Sequence, residues 1–271
     1  MNDNISGLER TGLGCRIGGH FLGVIMYADD ILLLSPTVNG LQGMLDACTD
    51  LFNKKLLEFN VKKSSSFIIG KASKYTIQSF VLQGSEIARL DSFKYLGINF
   101  EVEKSLHIET GSVKRKFYAA SNAILSKTRG LDELSRLSLL ESNCLPLLTY
   151  AIPSMNINSK QINELNIAWN NIYRCIFGFH SWESVRIFIA GLGKLDFTHI
   201  WFKSCISFFK RNLISSHIIL RFLTNRHLFC RLDQLCRIID IDLGVNDVTD
   251  KNCNELFNLI SNSFIEKNLY N

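Results

Sequence analysis

Residues 20–35 read HFLGVIMYADDILLLS. Two apolar runs of strand length, on either side of Asp29-Asp30, give the pattern of a β-hairpin buried on one face with its acids at the turn. Adjacent carboxylates repel each other and resist desolvation, and an Asn-Gly or Asp-Gly turn would close the same hairpin with less conflict. A divalent cation removes the conflict. Hard ions such as Mg²⁺ take carboxylate and phosphate oxygens, and two of them can clamp the attacking and leaving oxygens of a phosphoryl transfer. Asp29 and Asp30 are therefore candidate metal ligands, although an isolated Tyr-Ala-Asp-Asp tetrapeptide is equally well an acidic turn.

Upstream of the hairpin, residues 1–20 are rich in glycine (Gly7, Gly12, Gly14, Gly18, Gly19) and read as a loop, or as the tail of a unit that starts earlier. Downstream the period changes. Leu41, Leu45, Cys48, Phe52 and Leu56 recur at three- and four-residue steps, which predicts an amphipathic helix over 39–58 with Thr37 or Asn39 as its cap. Short strands are expected at 66–70, 76–82, 86–88 and 95–100, with Gln83-Gly84 as a hairpin turn. Beyond about residue 104 the pattern is helical, with helices expected at 105–129, 133–150, 159–177, 181–190, 195–214 and 216–238 and a weak one at 253–259. This is an α+β chain whose strands come first.

The chain has 271 residues, enough for one large domain or two modest ones. Its +5 net charge is unevenly spread. Residues 21–53 carry Asp29, Asp30, Asp46 and Asp50 and no cation. Residues 54–74 carry six lysines against Glu58, and 104–130 carry Lys104, Lys114, Arg115, Lys116, Lys127 and Arg129 against Glu109. Two basic blocks after an acidic one fit a polyanionic partner, against the plainer reading of a solvated face. Eight cysteines without paired spacing exclude a disulfide scaffold and fit a reducing compartment. No signal peptide is read at the N-terminus, and the longest charge-free run, 142–159, is broken by Pro146 and Pro153 and makes a poor bilayer span.

Several ordered blocks around the hairpin resemble the reverse transcriptases of non-LTR (LINE-like) retrotransposons. Gly14-Cys15-Arg16-Ile17-Gly18 precedes the hairpin at a short distance. Tyr27 to Ser35 is similar to the family's YADD motif and second strand, and Leu41 to Cys48 to its following helix. Phe59-Asn60-Val61-Lys62-Lys63-Ser64 matches an FNxxKS block and Ile69-Gly70-Lys71 the strand end after it. Phe93-Lys94-Tyr95-Leu96-Gly97-Ile98 resembles the primer-grip YLG block. Order and spacing agree over residues 14–100.

The resemblance implies a fold and roles. Residues 1–102 would be the C-terminal part of a palm (antiparallel strands with a packed helix), 103–180 a helical thumb, and 181–271 a helical region of unknown role. Asp29 would be the main acid for two Mg²⁺ ions, supported by Asp30. Tyr27 would lie beside the primer end or the incoming nucleotide. Lys63 would lie near the triphosphate, where a lysine offsets charge or protonates the leaving pyrophosphate. Tyr95, Leu96 and Gly97 would hold the primer. Lys114, Arg115, Lys116, Lys127 and Arg129 would face the phosphates of an RNA template and DNA primer. The partners would be that template–primer and deoxynucleoside triphosphates, with no membrane, in an intracellular setting (a cytoplasmic ribonucleoprotein or the nucleus). The family places a further catalytic Asp well upstream of YADD. Asp3 is the only Asp before Tyr27, and its neighbours do not form an apolar palm strand. The chain alone is thus expected not to polymerise. A non-catalytic nucleic-acid-binding remnant is the alternative, and a protein-binding module of the C-terminal helices a weaker third.

Other constellations weigh less. His227, Cys230, Cys236 and Cys253 lack zinc-knuckle spacing and read as helical cysteines. Ser142, His180 and Asp196 have the residue types of a hydrolase triad without a nucleophile elbow. Gly191-Leu-Gly193 marks a helix end. Trp169, Tyr173, Phe177, Phe179 and Trp182 read first as helix packing and second as a base-stacking surface, and Phe202, Phe208 and Phe209 as core. Lys210-Arg211 fits either a nucleic-acid contact or a solvated helix face.

Overall fold

The computed structural model describes residues 2–54, 56–70, 78–150, 152–155 and 157–269, with 2–4 and 226–231 described by their helix only. The start of the strand expected at 76–82, the block lysines Lys71 and Lys74, and the side chains of His227 and Cys230 lie outside the described residues. The chain is mixed α+β, with small, mainly antiparallel sheets followed by many helices. It divides into two compact units, residues 1–95 with 100–107, and residues 96–99 with 108–271.

The first unit opens with α1 (Asn2–Arg10) where a loop was expected. Gly7 does not break this helix, because Leu8 is fully buried and Ile5 packs on the same core. Strands β1 (Arg16–Ile17) and β2 (His20–Phe21) pair antiparallel across Gly18-Gly19, both at positive φ. Strands β3 (Val24–Tyr27) and β4 (Asp30–Leu33) form the expected hairpin.

Helix α2 (Val38–Asn53) is capped by the Thr37 hydroxyl, which accepts from the Gly40 N–H at 3.1 Å. It buries two faces. Met44 and Cys48 pack with Leu8, Val24, Phe21, Met26, Ile31 and Leu33, whereas Leu41 and Leu45 pack against Phe80, Leu82 and Ile87. The expected stripe runs one step too far. The helix ends at Asn53, Leu56 takes a left-handed φ of 58° and is 94% exposed, and the Leu57 N–H closes back on the Phe52 carbonyl. That closure is a helix-terminating motif in which leucine occupies the position usually given to glycine.

The second sheet has order β5-β7-β6, with β5 (Ser65–Ser66) parallel and β6 (Phe80–Leu82) antiparallel to β7 (Ser85–Arg89). Gln83-Gly84 makes the expected turn, with both residues at positive φ. The Gln42 side-chain amide exchanges two 2.9 Å hydrogen bonds with the backbone of Val81, which ties α2 to β6. The strand expected at 95–100 is two strands, β8 (Ser92–Tyr95) and β9 (Ile98–Val102), in a sheet of order β10-β9-β8. Leu96 and Gly97, both at positive φ, form the turn between them. Gly97 was the local signal for it. Residues 106–108 are strand β10, so the helix expected from 105 starts at Thr110.

The second unit is built on α3 (Thr110–Lys127), α4 (Glu133–Asn143), α5 (Leu145–Thr149) and α6 (Ser159–Phe177), then α7 (Arg186–Gly191), α8 (Phe197–Leu213), α9 (Ile218–Ile239), α10 (Val245–Asp250) and α11 (Cys253–Leu269). The helix expected over 133–150 breaks at Cys144, and Pro146 sits in the first turn of α5, where its missing N–H costs nothing. Asn158 and Gln161 form a capping box for α6, and Gly178 at φ 74° ends it. A single core runs from Phe117 on α3 to Phe264 on α11. Trp169 and Tyr173 are fully buried, edge to face, and α8 buries Phe197, Trp201, Phe202, Cys205, Ile206 and Phe209. Helix α11 extends well beyond the weak helix expected at 253–259. Its buried Leu256, Ile260 and Phe264 keep a four-residue step under an Asn-rich surface. No helix of the described residues is long and apolar enough to cross a membrane.

Trp169→Ala removes one of the two largest side chains of this core. It is expected to cost about 3–5 kcal/mol of stability, read as a lower midpoint in denaturant unfolding, with a separate signal from Trp201 distinguishing local from global loss.

Candidate metal-binding hairpin and basic surfaces

The register of β3–β4 explains the position of the acids. Val24 pairs Leu33, Met26 pairs Ile31, and Tyr27 pairs Asp30. Val24, Met26, Ile31 and Leu33 face the core, so the alternate positions, Tyr27 and Asp30 among them, face outward. Asp29 stands in the two-residue turn. Tyr27 is 63% exposed and both carboxylates are exposed. Ala28, the other turn residue, holds a left-handed φ of 53°. For a residue with a Cβ this costs about 1–2 kcal/mol. Such strain concentrates at functional positions.

Within the first unit, Tyr95 lies in electrostatic range of the hairpin. Its phenolic oxygen is shielded from solvent and has no hydrogen-bond partner among the described residues. Burial pushes its pKa above the usual tyrosine value, and the negative charge of Asp30 adds to the rise. Tyr95 and Asp30 are thus electrostatic neighbours, and the phenol stays protonated beside the acids. Leu96 and Gly97 belong to the second unit, where their carbonyls are taken up. Tyr150 Oη donates to Leu96 at 3.2 Å, and Lys116 Nζ donates to Gly97 at 3.1 Å.

Lys63 lies in a 3-10 turn, Val61–Lys63, closed by the Ser64 hydroxyl on the Asn60 carbonyl at 3.0 Å. Phe59 and Val61 pack against the Phe80–Leu82–Ile87 cluster, which leaves Lys62 and Lys63 exposed.

The basic residues of α3 differ from one another. Lys114 pairs with Glu164 at 2.7 Å and Arg115 with Glu109 at 2.6 Å. The Lys114 ammonium holds the Glu164 carboxyl below the usual range, and Arg115 with Asn99 does the same for Glu109. With Lys116 on the Gly97 carbonyl, three of the five cations already have a partner inside the protein. Lys127 and Arg129, at the C-terminal end of α3, are exposed and unpaired among the described residues.

The remaining constellations resolve into structure. Trp169 and Tyr173 are core, whereas Trp182 is 78% exposed and stacks on His180 at 4.5 Å. Ser142, His180 and Asp196 are not brought together. Ser142 bonds carbonyls of its own helix, and Asp196 accepts from the His199 backbone and from Nδ1 at 2.6 Å. That buried Asp196–His199 pair caps α8, and the Asp-x-x-His spacing before an apolar helix was its sequence signal. Cys236 is buried and its thiol contacts the Leu243 carbonyl. No group of three His, Cys, Asp or Glu side chains suited to a metal occurs among the described residues.

No family model matches the chain. It is 35% identical over 98 residues to a retrovirus-related Pol polyprotein from a type-2 retrotransposable element of Drosophila melanogaster, a match covering 32% of this chain and 9% of that protein. It is 23% identical over 211 residues to the corresponding polyprotein from type-1 retrotransposable element R2 of Popillia japonica (72% of this chain, 29% of that protein). A putative transposon-derived protein of Caenorhabditis elegans matches at 25% over 169 residues, covering 60% of this chain and 59% of its own length. The chain therefore spans less than two thirds of each of these relatives, and the similarities support a retrotransposon origin.

Asp30→Asn removes the charge that Tyr95 feels. The Tyr95 titration midpoint is expected to move down, read by ultraviolet absorbance against a Tyr95→Phe control. In the native protein, where this pKa is raised, the unfolded chain ionises first at high pH, so Tyr95 contributes stability below the ordinary tyrosine pKa and loses it as pH rises through the folded value.

Proposed function

We propose that the chain is the C-terminal part of the palm, followed by the helical thumb, of a non-LTR retrotransposon reverse transcriptase. Residues 1–102 then form the palm portion and 103–180 the thumb. The reaction is RNA-directed DNA synthesis on an RNA template and DNA primer from deoxynucleoside triphosphates. One observation carries the reading. The β3–β4 hairpin holds two adjacent, exposed carboxylates at a strained tip, with Tyr27 on the outward face and Tyr95 close to Asp30. The Pol polyprotein similarities support it.

The donor set fits one hard divalent ion. Asp29 and Asp30 offer carboxylate oxygens without competing partners among the described residues, and Mg²⁺ accepts one or two carboxylates with the balance from water and phosphate. Two ions do not fit the pair, because the described residues bring it no third ligating side chain. When bound, such an ion offsets the negative charge of a triphosphate. In this reading Asp29 and Asp30 hold it, and the exposed Tyr27 ring gives a base or sugar an apolar surface. Lys63 sets a positive charge against the phosphates. Tyr95, kept protonated, adds no anion to the site. Lys127 and Arg129 meet backbone phosphates without competition from an internal partner, in contrast to Lys114, Arg115 and Lys116.

The absence of a third ligating side chain beside Asp29 and Asp30 among the described residues favours a second reading, a nucleic-acid-binding remnant without catalysis. Binding of Mn²⁺ (as a stand-in for Mg²⁺), followed by electron paramagnetic resonance, is expected to occur weakly in the native chain and to be abolished by Asp29→Asn. Binding unchanged in both Asp29→Asn and Asp30→Asn would sink the metal-site reading. Primer extension by this polypeptide alone is expected to give no template-dependent incorporation, and incorporation would refute the ligand count and exclude the remnant.

A further inference from the structure

The second unit contains an open cavity of about 600 Å³ lined by α8, α11, the turn after α7, the ends of α4 and α5, and Pro153. Lys203, Ser207 and Arg211 follow at four-residue steps and so form one polar stripe along α8, a helix whose other faces carry buried Phe202, Cys205, Ile206 and Phe209. The cavity's charged lining is Lys194, Lys203, Arg211 and Glu141. Glu141 is already engaged by Lys194 at 2.7 Å. Lys203 and Arg211 remain.

Lys203 is half-buried without a carboxylate partner among the described residues. Its ammonium donates to Ser261 Oγ at 2.7 Å and stands 5.2 Å above the Phe257 ring. Ser261 donates its own proton to the Phe257 carbonyl at 2.8 Å, so it does not depend on Lys203 for a partner. Burial holds the Lys203 pKa below the usual lysine value. A desolvated cation without a counter-ion is unfavourable in the free protein and gains most when an anion arrives. Arg211 touches the Ser207 carbonyl only at 3.4 Å through Nε. Its neighbour Lys210 turns away to the Val248 carbonyl at 2.6 Å. The adjacent Lys210-Arg211 pair thus splits into one structural cation and one that faces the cavity.

We propose that this groove binds the phosphodiester backbone of a single-stranded nucleic acid, with one phosphate on Lys203 and another on Arg211. Eight residues of helix separate the two by about 12 Å along the axis. A lone phosphate engages one of them, whereas a strand engages both. The open shape suits a chain passing through rather than an enclosed small molecule. The inference does not depend on the acids of the β3–β4 hairpin.

The test uses the full chain and a short fluorescein-labelled single-stranded RNA in anisotropy titrations at several salt concentrations. Lys203→Met and Arg211→Gln are each expected to weaken binding roughly 5- to 10-fold and to reduce the salt slope by about 0.7. Lys203→Met should also melt no lower than the native chain, because it removes a desolvated charge. If it fails to fold, the exposed Arg211→Gln decides alone. Unchanged affinity and slope in Arg211→Gln overturns the proposal. So does an absence of binding by the native chain. A loss confined to Lys127→Gln with Arg129→Gln places the strand on α3 and also overturns it, while leaving the reading of the preceding section standing. Competition by inorganic phosphate as strong, per phosphate, as by unlabelled RNA would mean a single-anion pocket and overturn the strand.

Discussion

The acidic tip is held in place by the packing of one helix. Val24 and Met26 pin β3 to Met44 and Cys48 of α2, and Leu41 and Leu45 on another face of the same helix hold the second sheet. The first unit has few fully buried side chains, so this two-faced helix does most of its organising. Two adjacent carboxylates, which repel each other, and a left-handed alanine are each unfavourable alone. They persist because apolar contacts at the base of the hairpin, with some 25 cal/mol for each Å² of apolar surface removed from water, oppose the strain at its end. Thr37 at the helix start and the Gln42–Val81 bonds at its flank fix its rotation, and with it the register of what it covers.

The hairpin is legible in the sequence because two apolar runs of strand length flank the polar pair Asp29-Asp30, and the strands pair across that point. Helix α6 was equally legible, with its cap, its apolar stripe and its terminal glycine all present. The failures have physical causes. The glycines of the first 20 residues predict a loop, and Gly7 carries a helix cost of about 1 kcal/mol, but the burial of Leu8 outweighs it over residues 2–10. The sequence predicts one strand over 95–100 because leucine is a poor choice for a left-handed turn, so Leu96 masks the turn signal of Gly97. Asn and Ser dominate the exposed face of α11 and predict only a short helix, whereas the spacing of Leu256, Ile260 and Phe264 carries its packing over the full length.

The basic residues divide along a line that sequence does not draw. Lys114, Arg115 and Lys116 are consecutive, but each has a different internal partner, reached through the twist of α3 toward Glu164, Glu109 and Gly97. A partner far away in sequence decides whether a cation is structural or available. Asp29 and Asp30 could be found by reading because their neighbours are local. The proximity of Tyr95 to Asp30 could not, since it depends on how separate strands come together. The same holds for Lys203: nothing in the sequence of α8 sets it apart, and only Phe257 and Ser261 of α11 make its environment unusual.

The core of the second unit has a consequence for synthesis. Phe117 on α3 and Phe264 on α11 share one apolar interior, and α11 also supplies the Phe264 ring that lies 4.5 Å from the buried His199. Helices α3 to α8 pack on one another as they leave the ribosome, but the apolar faces of α7 and α8 that α11 covers stay exposed until α11 follows. Contacts between such distant parts of a chain slow folding, and partly folded chains with exposed apolar surface aggregate. A delay in making α11 is thus what leaves the preceding helices most dependent on protection by chaperones.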